Sequence, residues 1–196
     1  MEALIFITDI VEKLILLLMF GLSVWSTSIM IDRKRFLSVE NQDEDFAVLK
    51  KEISEHNFSG VEKICSQGSS FLKRAMTVVF RAGKNPEFID RALISHLKEE
   101  KIHLEKGLVV LGTLGANAPF IGLFGTVLGI IRSFAHLGSQ TGSAAVMSGV
   151  SQALYATAMG LFVAIPAVIA YNIFSKKIKD LQNKVESLKD LYISKL

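Results

Sequence analysis

Charge along this chain comes in blocks. Residues 14–31 (LILLLMFGLSVWSTSIMI) contain no Asp, Glu, Lys or Arg, and neither do 107–131 (GLVVLGTLGANAPFIGLFGTVLGII) or 137–175. Uncharged, mostly apolar runs of roughly 18 or more residues predict membrane-spanning helices, because about 20 residues at 1.5 Å rise cross about 30 Å of hydrocarbon. Residues 32–106 are the opposite, with 14 basic against 13 acidic residues. The pattern predicts an all-α integral membrane protein with three transmembrane helices and one helical polar region.

The charges that flank these runs orient them. Arg33, Lys34 and Arg35 follow the first run, and Lys176, Lys177 and Lys179 follow the last. Basic residues stay on the cytoplasmic side. The rule predicts an outer N-terminus at 1–13, transmembrane helix 1 at 14–31 and a cytoplasmic helical domain at 32–106. Transmembrane helices 2 and 3 occupy 107–175, at about 108–131 and about 150–174. They are joined by a short outer loop, HLGSQTGSAAVMSG, expected to be irregular in part. A cytoplasmic C-terminal helix fills 176–196. The leader carries Glu2, Asp9 and Glu12 against Lys13 alone, so the first run is expected to be a retained helix rather than a cleaved secretory signal.

Helical spacing recurs in the polar region. Phe46, Leu49 and Ile53 predict a helix over 42–56, and Phe71, Leu72, Ala75, Val78 and Val79 predict another over 69–82. Gly60 and Gly68 are taken as punctuation between them. Asn85-Pro86 marks a helix start that is expected to run through HLKEEKIHLEK into transmembrane helix 2. In the tail, Ile178, Leu181, Val185, Leu188 and Leu191 predict an amphipathic continuation of transmembrane helix 3. Two of the three spans are therefore expected to extend into the cytoplasm.

Formal net charge is +3. That excess lies just past helix ends, which positive-inside placement accounts for without a nucleic-acid partner. Cys65 is the single cysteine, so no intrachain disulfide is expected, and a reduced compartment fits. His56, His96, His103 and His136 show no metal-ligand spacing; His96 and His103 are read as solvated helix-surface residues. The glycines of 112–129 lack the Lys-Ser/Thr of a phosphate loop. No cofactor, metal or enzymatic constellation is expected.

Small residues carry the stronger signal. Gly122, Gly125 and Gly129 make one small face on transmembrane helix 2; Ala153, Ala156, Thr157, Gly160, Ala164 and Ala167 make another on helix 3. Helices in lipid associate through such close contacts. Two faces of this kind exceed what three helices need, which predicts a homo-oligomer. Thr126 and Thr157 fall at about the same depth, within one turn, and predict a polar belt lining a narrow interior. Gln152 and Tyr155, with Ser151, lie nearer the outer end as its mouth. A lone membrane threonine also commonly bonds back to a carbonyl of its own helix. No Asp, Glu, Lys or Arg lies in 108–131 or 137–175, so a titrating carboxylate for proton conduction is expected from another chain.

PFIGLFGTVLGIIRSF at 119–134 and SQALYATAMGLFVAIPAVIAYNIF at 151–174 closely resemble the paired signatures of the MotA/TolQ/ExbB proton channel family. Three helices with a polar region after the first resemble its TolQ and ExbB branches, which are not separated here. The resemblance implies a pentamer in the bacterial inner membrane around a pair of single-span TolR/ExbD-type partners. Those partners would supply the membrane aspartate, and work would pass to TolA-like or TonB-like proteins. By motif, Thr126 in GLFGT and Thr157 in ATAMG match the family's pore threonines, and Pro119 and Pro166 match its prolines. Gln152 departs from the glutamate usual there, which argues against a direct proton-carrying role for this position. The implied function is a channel or stator that converts proton motive force into work on the envelope. The alternatives are a passive oligomeric scaffold without ion flux and, more weakly, a small-solute transporter, for which no inverted repeat is visible.

Overall fold

A computed structural model of the protein describes residues 2–38, 42–68, 70–135 and 143–196. Among them there are seven helices and no strand. These are α1 (Glu2–Ser38), α2 (Gln42–Ser54), α3 (Phe58–Ser66), α4 (Phe71–Arg81), α5 (Pro86–Leu104), α6 (Leu108–Ala135) and α7 (Ser143–Ile193). Three are long and apolar enough to cross a membrane, over Phe6–Leu37, Leu108–Ala135 and Val146–Ile193. Of the expected outer loop, 136–149, residues 136–142, His136 among them, lie outside the described residues. Residues 143–149 already belong to α7, so the third span starts earlier than the expected residue 150.

The chain forms two compact units. One comprises Met1–Asp32 and Gly107–Asn172, the other Arg33–Lys106 and Ile173–Leu196. In the first, α1 runs antiparallel to α6. Ile29 lies against Gly107 at one end of the pair, while Ile15 lies against Gly125 and Glu12 against Gly129 towards the other. Helix α7 is antiparallel to α6 in turn, with Tyr171 beside Gly112 and Ala153 beside Gly129. Ile15, Met19, Ala118, Val163 and Ala164 form the shared apolar centre. Helix α1 starts at Glu2, ahead of the span expected from residue 14. Its inward face is set by spacing: Thr8, Glu12, Ile15, Met19 and Ser26 are buried at helical intervals.

In the second unit α2–α5 gather around Leu49, Ile53, Val61, Phe71, Leu72, Ala75, Met76, Val79 and Ile89, all 0% exposed. The final stretch of α7 buries Ile178, Leu181, Val185 and Leu188, the stripe the sequence predicts. Near its end the Tyr192 ring packs edge-on to Phe58 at 5.5 Å and tilted over Phe80 at 4.6 Å. Side-chain oxygens cap the short helices: Asn57 accepts from the Gly60 amide, Ser70 from Lys73 and Asn85 from Glu87. Arg74 grips Glu100 through two 3.0 Å hydrogen bonds, and Lys73 pairs with Asp45 at 2.7 Å.

Three expectations change here. Helix α3 exists where Gly60 was taken as punctuation; Asn57 starts it, and Val61 and Cys65 bury its apolar side. The rod expected from 86 into transmembrane helix 2 is interrupted. Helix α5 ends at Leu104, and Gly107, at φ +80°, breaks the helix before α6 begins. That left-handed conformation is open to glycine at little cost. His96 is also not simply solvated: its side chain is 17% exposed and Nε2 lies 4.0 Å from Glu100.

Candidate functional site

Glycine decides how closely α6 and α7 approach. A Cβ placed on Gly122 would lie 2.6 Å from the Ala156 carbonyl oxygen and 3.0 Å from Thr157 Cα. One on Gly160 would lie 2.7 Å from the Ala118 oxygen, and one on Gly125 2.7 Å from Ala156 Cβ. Real Cβ atoms do not pack so tightly, so backbone meets backbone along this seam. The two small faces thus meet each other inside one chain. The argument for an oligomer from two surplus faces is corrected by this pairing, because neither face is left over. Pro119 and Pro166 sit inside α6 and α7 and remove the backbone bonds to the carbonyls of Gly115 and Phe162. Pro119 is half-buried and Pro166 exposed.

Thr126 and Thr157 meet in this seam. Their hydroxyl oxygens are hydrogen-bonded to each other. Thr126 Oγ1 also lies 3.2 Å from the Gly122 carbonyl oxygen of its own helix and 3.2 Å from that of Ala153 on α7. A hydroxyl has one proton to give. If Thr126 donates to a carbonyl, Thr157 donates to Thr126, and the lone pairs of Thr157 remain open to an outside donor. Thr126 is buried, whereas Thr157 is half-buried. The pair is a two-link hydroxyl chain with one accessible end. About two turns further along α6, Ser133 donates to the Gly129 carbonyl at 2.7 Å.

The sequence reading missed an ionic cluster beyond the threonines. The Arg132 guanidinium on α6 donates to Asp9 Oδ1 at 2.7 Å and lies 2.9 Å from Glu12 Oε2, both on α1. Its other nitrogen donates to Gln152 Oε1 on α7 at 3.0 Å. Lys13 adds a 2.8 Å pair with Asp9. Gln152 is therefore an acceptor for arginine, while Tyr155 is 65% exposed and free of this cluster. Asp9 and Glu12 sit inside the candidate span Phe6–Leu37, although no carboxylate lies in 108–131 or 137–175. The signal was present in the spacing of Thr8, Glu12 and Ile15 on one helix face. Among the described residues no group of His, Cys, Asp and Glu could hold a metal ion.

The MotA/TolQ/ExbB proton channel family matches residues 63–187. A biopolymer transport protein ExbB of Xanthomonas campestris pv. campestris is 39% identical over 147 residues, covering 72% of this chain and 58% of that protein. A Tol-Pal system protein TolQ of Pseudomonas aeruginosa is 43% identical over 125 residues, 61% of this chain and 53% of the relative. A putative ExbB-like biopolymer transport protein of Helicobacter pylori is 46% identical over 86 residues, 43% of this chain and 57% of the relative. The chain spans a little over half the length of these relatives. The family match covers the whole of α6 and the part of α7 that carries Thr157, and the chain belongs to the MotA/TolQ/ExbB proton channel family.

Proposed function

We propose that this protein is a proton-channel stator subunit that couples proton motive force to mechanical work on the cell envelope. The observation that carries the reading is the Thr126–Thr157 hydroxyl pair, set in two apolar helices that hold no Asp, Glu, Lys or Arg between Leu108 and Ile131 or Leu137 and Ser175. Relatives named for biopolymer transport and for the Tol-Pal system support that role. In this reading the chains form a pentamer in the bacterial inner membrane, N-terminus periplasmic and C-terminus cytoplasmic. Thr157 faces the interior, and Thr126 backs it from the seam. A pair of single-span TolR/ExbD-type proteins brings the aspartate that exchanges protons, and a TolA-like or TonB-like protein receives the work. Each charge crossing contributes about 2.3 kcal/mol per 100 mV, enough for one or two protons to drive a conformational step.

Thr157→Val keeps the volume and removes the accessible hydroxyl. In vesicles holding the chain with its single-span partner, proton flux is expected to disappear while the complex still purifies intact. Normal flux would remove Thr157 from the path. The second reading, a passive scaffold, is favoured by the Thr126 bond to Gly122, the ordinary structural use of a membrane threonine. It predicts that Thr157→Val disturbs assembly instead.

A further inference from the structure

Arg132 has no counterpart in the hydroxyl pathway, yet it contacts both neighbouring helices. Its side chain is 12% exposed and that of Glu12 6%, so both charges are withdrawn from water. An arginine stays charged in a protein and needs compensation there. Asp9 and Glu12 supply two negative charges, and Arg132 with Lys13 supplies two positive ones, so the cluster is neutral. Neutrality makes it tolerable within a span. It does not account for the fork geometry. One arm of the guanidinium reaches α1 and the other reaches α7.

The α7 arm ends on Gln152, next to Ala153, whose carbonyl lies 3.2 Å from the Thr126 hydroxyl. The α1 arm ends on Glu12, whose Oε1 lies 3.6 Å from where a Gly129 Cβ would stand. Gly129 is half-way between Thr126 and Arg132 on α6, and the six residues from Thr126 to Arg132 span about 9 Å. We propose that Arg132 is a positioning residue: by clamping Glu12 and Asp9 of α1 and Gln152 of α7 onto α6, it fixes the register in which Thr126 and Thr157 meet. The proposal rests on the channel reading for the value of that register. Helix α1 lies outside residues 63–187, the stretch that the family matches.

Arg132→Lys separates charge from geometry, because lysine keeps the positive charge and loses the fork. The full chain carrying Thr157→Cys is treated with N-ethylmaleimide, and labelling at 157 is followed by mass spectrometry so that Cys65 is scored separately. With Arg132→Lys, labelling at 157 is expected to rise several-fold while the melting temperature holds. Without the reporter cysteine, proton flux in vesicles with the single-span partner falls about tenfold or more, as misplacement of a reacting group does. Arg132→Gln lowers the melting temperature by stranding the buried Glu12 carboxylate, and adding Glu12→Gln recovers part of it. Unchanged labelling in the lysine variant would overturn the clamp and leave charge balance alone. Should that variant fail to fold, Gln152→Leu removes only the α7 arm, and unchanged labelling there overturns the proposal equally. Absence of flux from the unmodified complex would sink the channel reading instead, while the labelling result still decides the clamp.

Discussion

At the scale of single residues, Gly122 and Gly21 make the cleanest contrast. A methyl on Gly122 would press on the Ala156 carbonyl and Thr157 Cα, backbone atoms that move only if the helices part. Gly122→Ala is expected to cost about 1–3 kcal/mol or more, as overpacking does. Nothing lies within 4 Å of a methyl on Gly21, so Gly21→Ala is expected to be near neutral. Thermal unfolding in detergent measures both; equal losses would mean that the α6–α7 seam is not tight. The small faces were legible because repeated glycine at three and four residues encodes close approach. Which surface they approach was not, since spacing names a face and not its neighbour. Glu12 was misread for a related reason. Beside Glu2 and Asp9 it looks like part of a polar leader, and only the buried face through Thr8, Ile15 and Met19 makes it interior.

At the scale of elements, α2–α5 and the end of α7 respond to alkali. Burial pushes the Cys65 thiol up from 9.0 to about 11, and burial also raises the Tyr192 phenol. Burial pulls Lys189 down, but the hydrogen bonds it donates to Asp90 and Asp190 outweigh it and leave its ammonium above the ordinary value. All three hold their protons more tightly when folded. Their stability is present below the ordinary values and is lost as pH rises through the folded ones. For Cys65 that window is pH 9.0 to about 11. Titration of the full chain should loosen this unit there, with Cys65 becoming reactive to thiol reagents, and Cys65→Ala should move the loss to higher pH. A thiol reactive at neutral pH would contradict its burial. These helices were mostly legible, since α2, α4 and α5 announce themselves by apolar spacing or a capping Asn-Pro. Helix α3 was hidden by Gly60, a residue that costs a helix interior only about 1 kcal/mol and so need not end it. The break at Gly107 was hidden because helix-compatible residues run up to it on both sides, and one backbone angle leaves little trace in a hydrophobic pattern.

At the scale of the whole molecule, the seam decides how damage is repaired. Gly122, Gly125 and Gly129 pack against Ala153, Ala156 and Gly160 of the same polypeptide, and the outer flank of these helices presents Leu123, Phe124 and Phe162 instead. In an assembly of identical chains, a glycine replaced in one subunit is therefore not relieved by a change in the next. Second-site revertants of Gly122→Ala should map to α7 of the same gene copy. Co-expressing a compensating allele on a separate copy should fail to rescue, and rescue in trans would place the seam between subunits. The glycine faces then behave as one inherited unit: each subunit carries both halves of its own fit, and mixed assemblies pass or fail subunit by subunit.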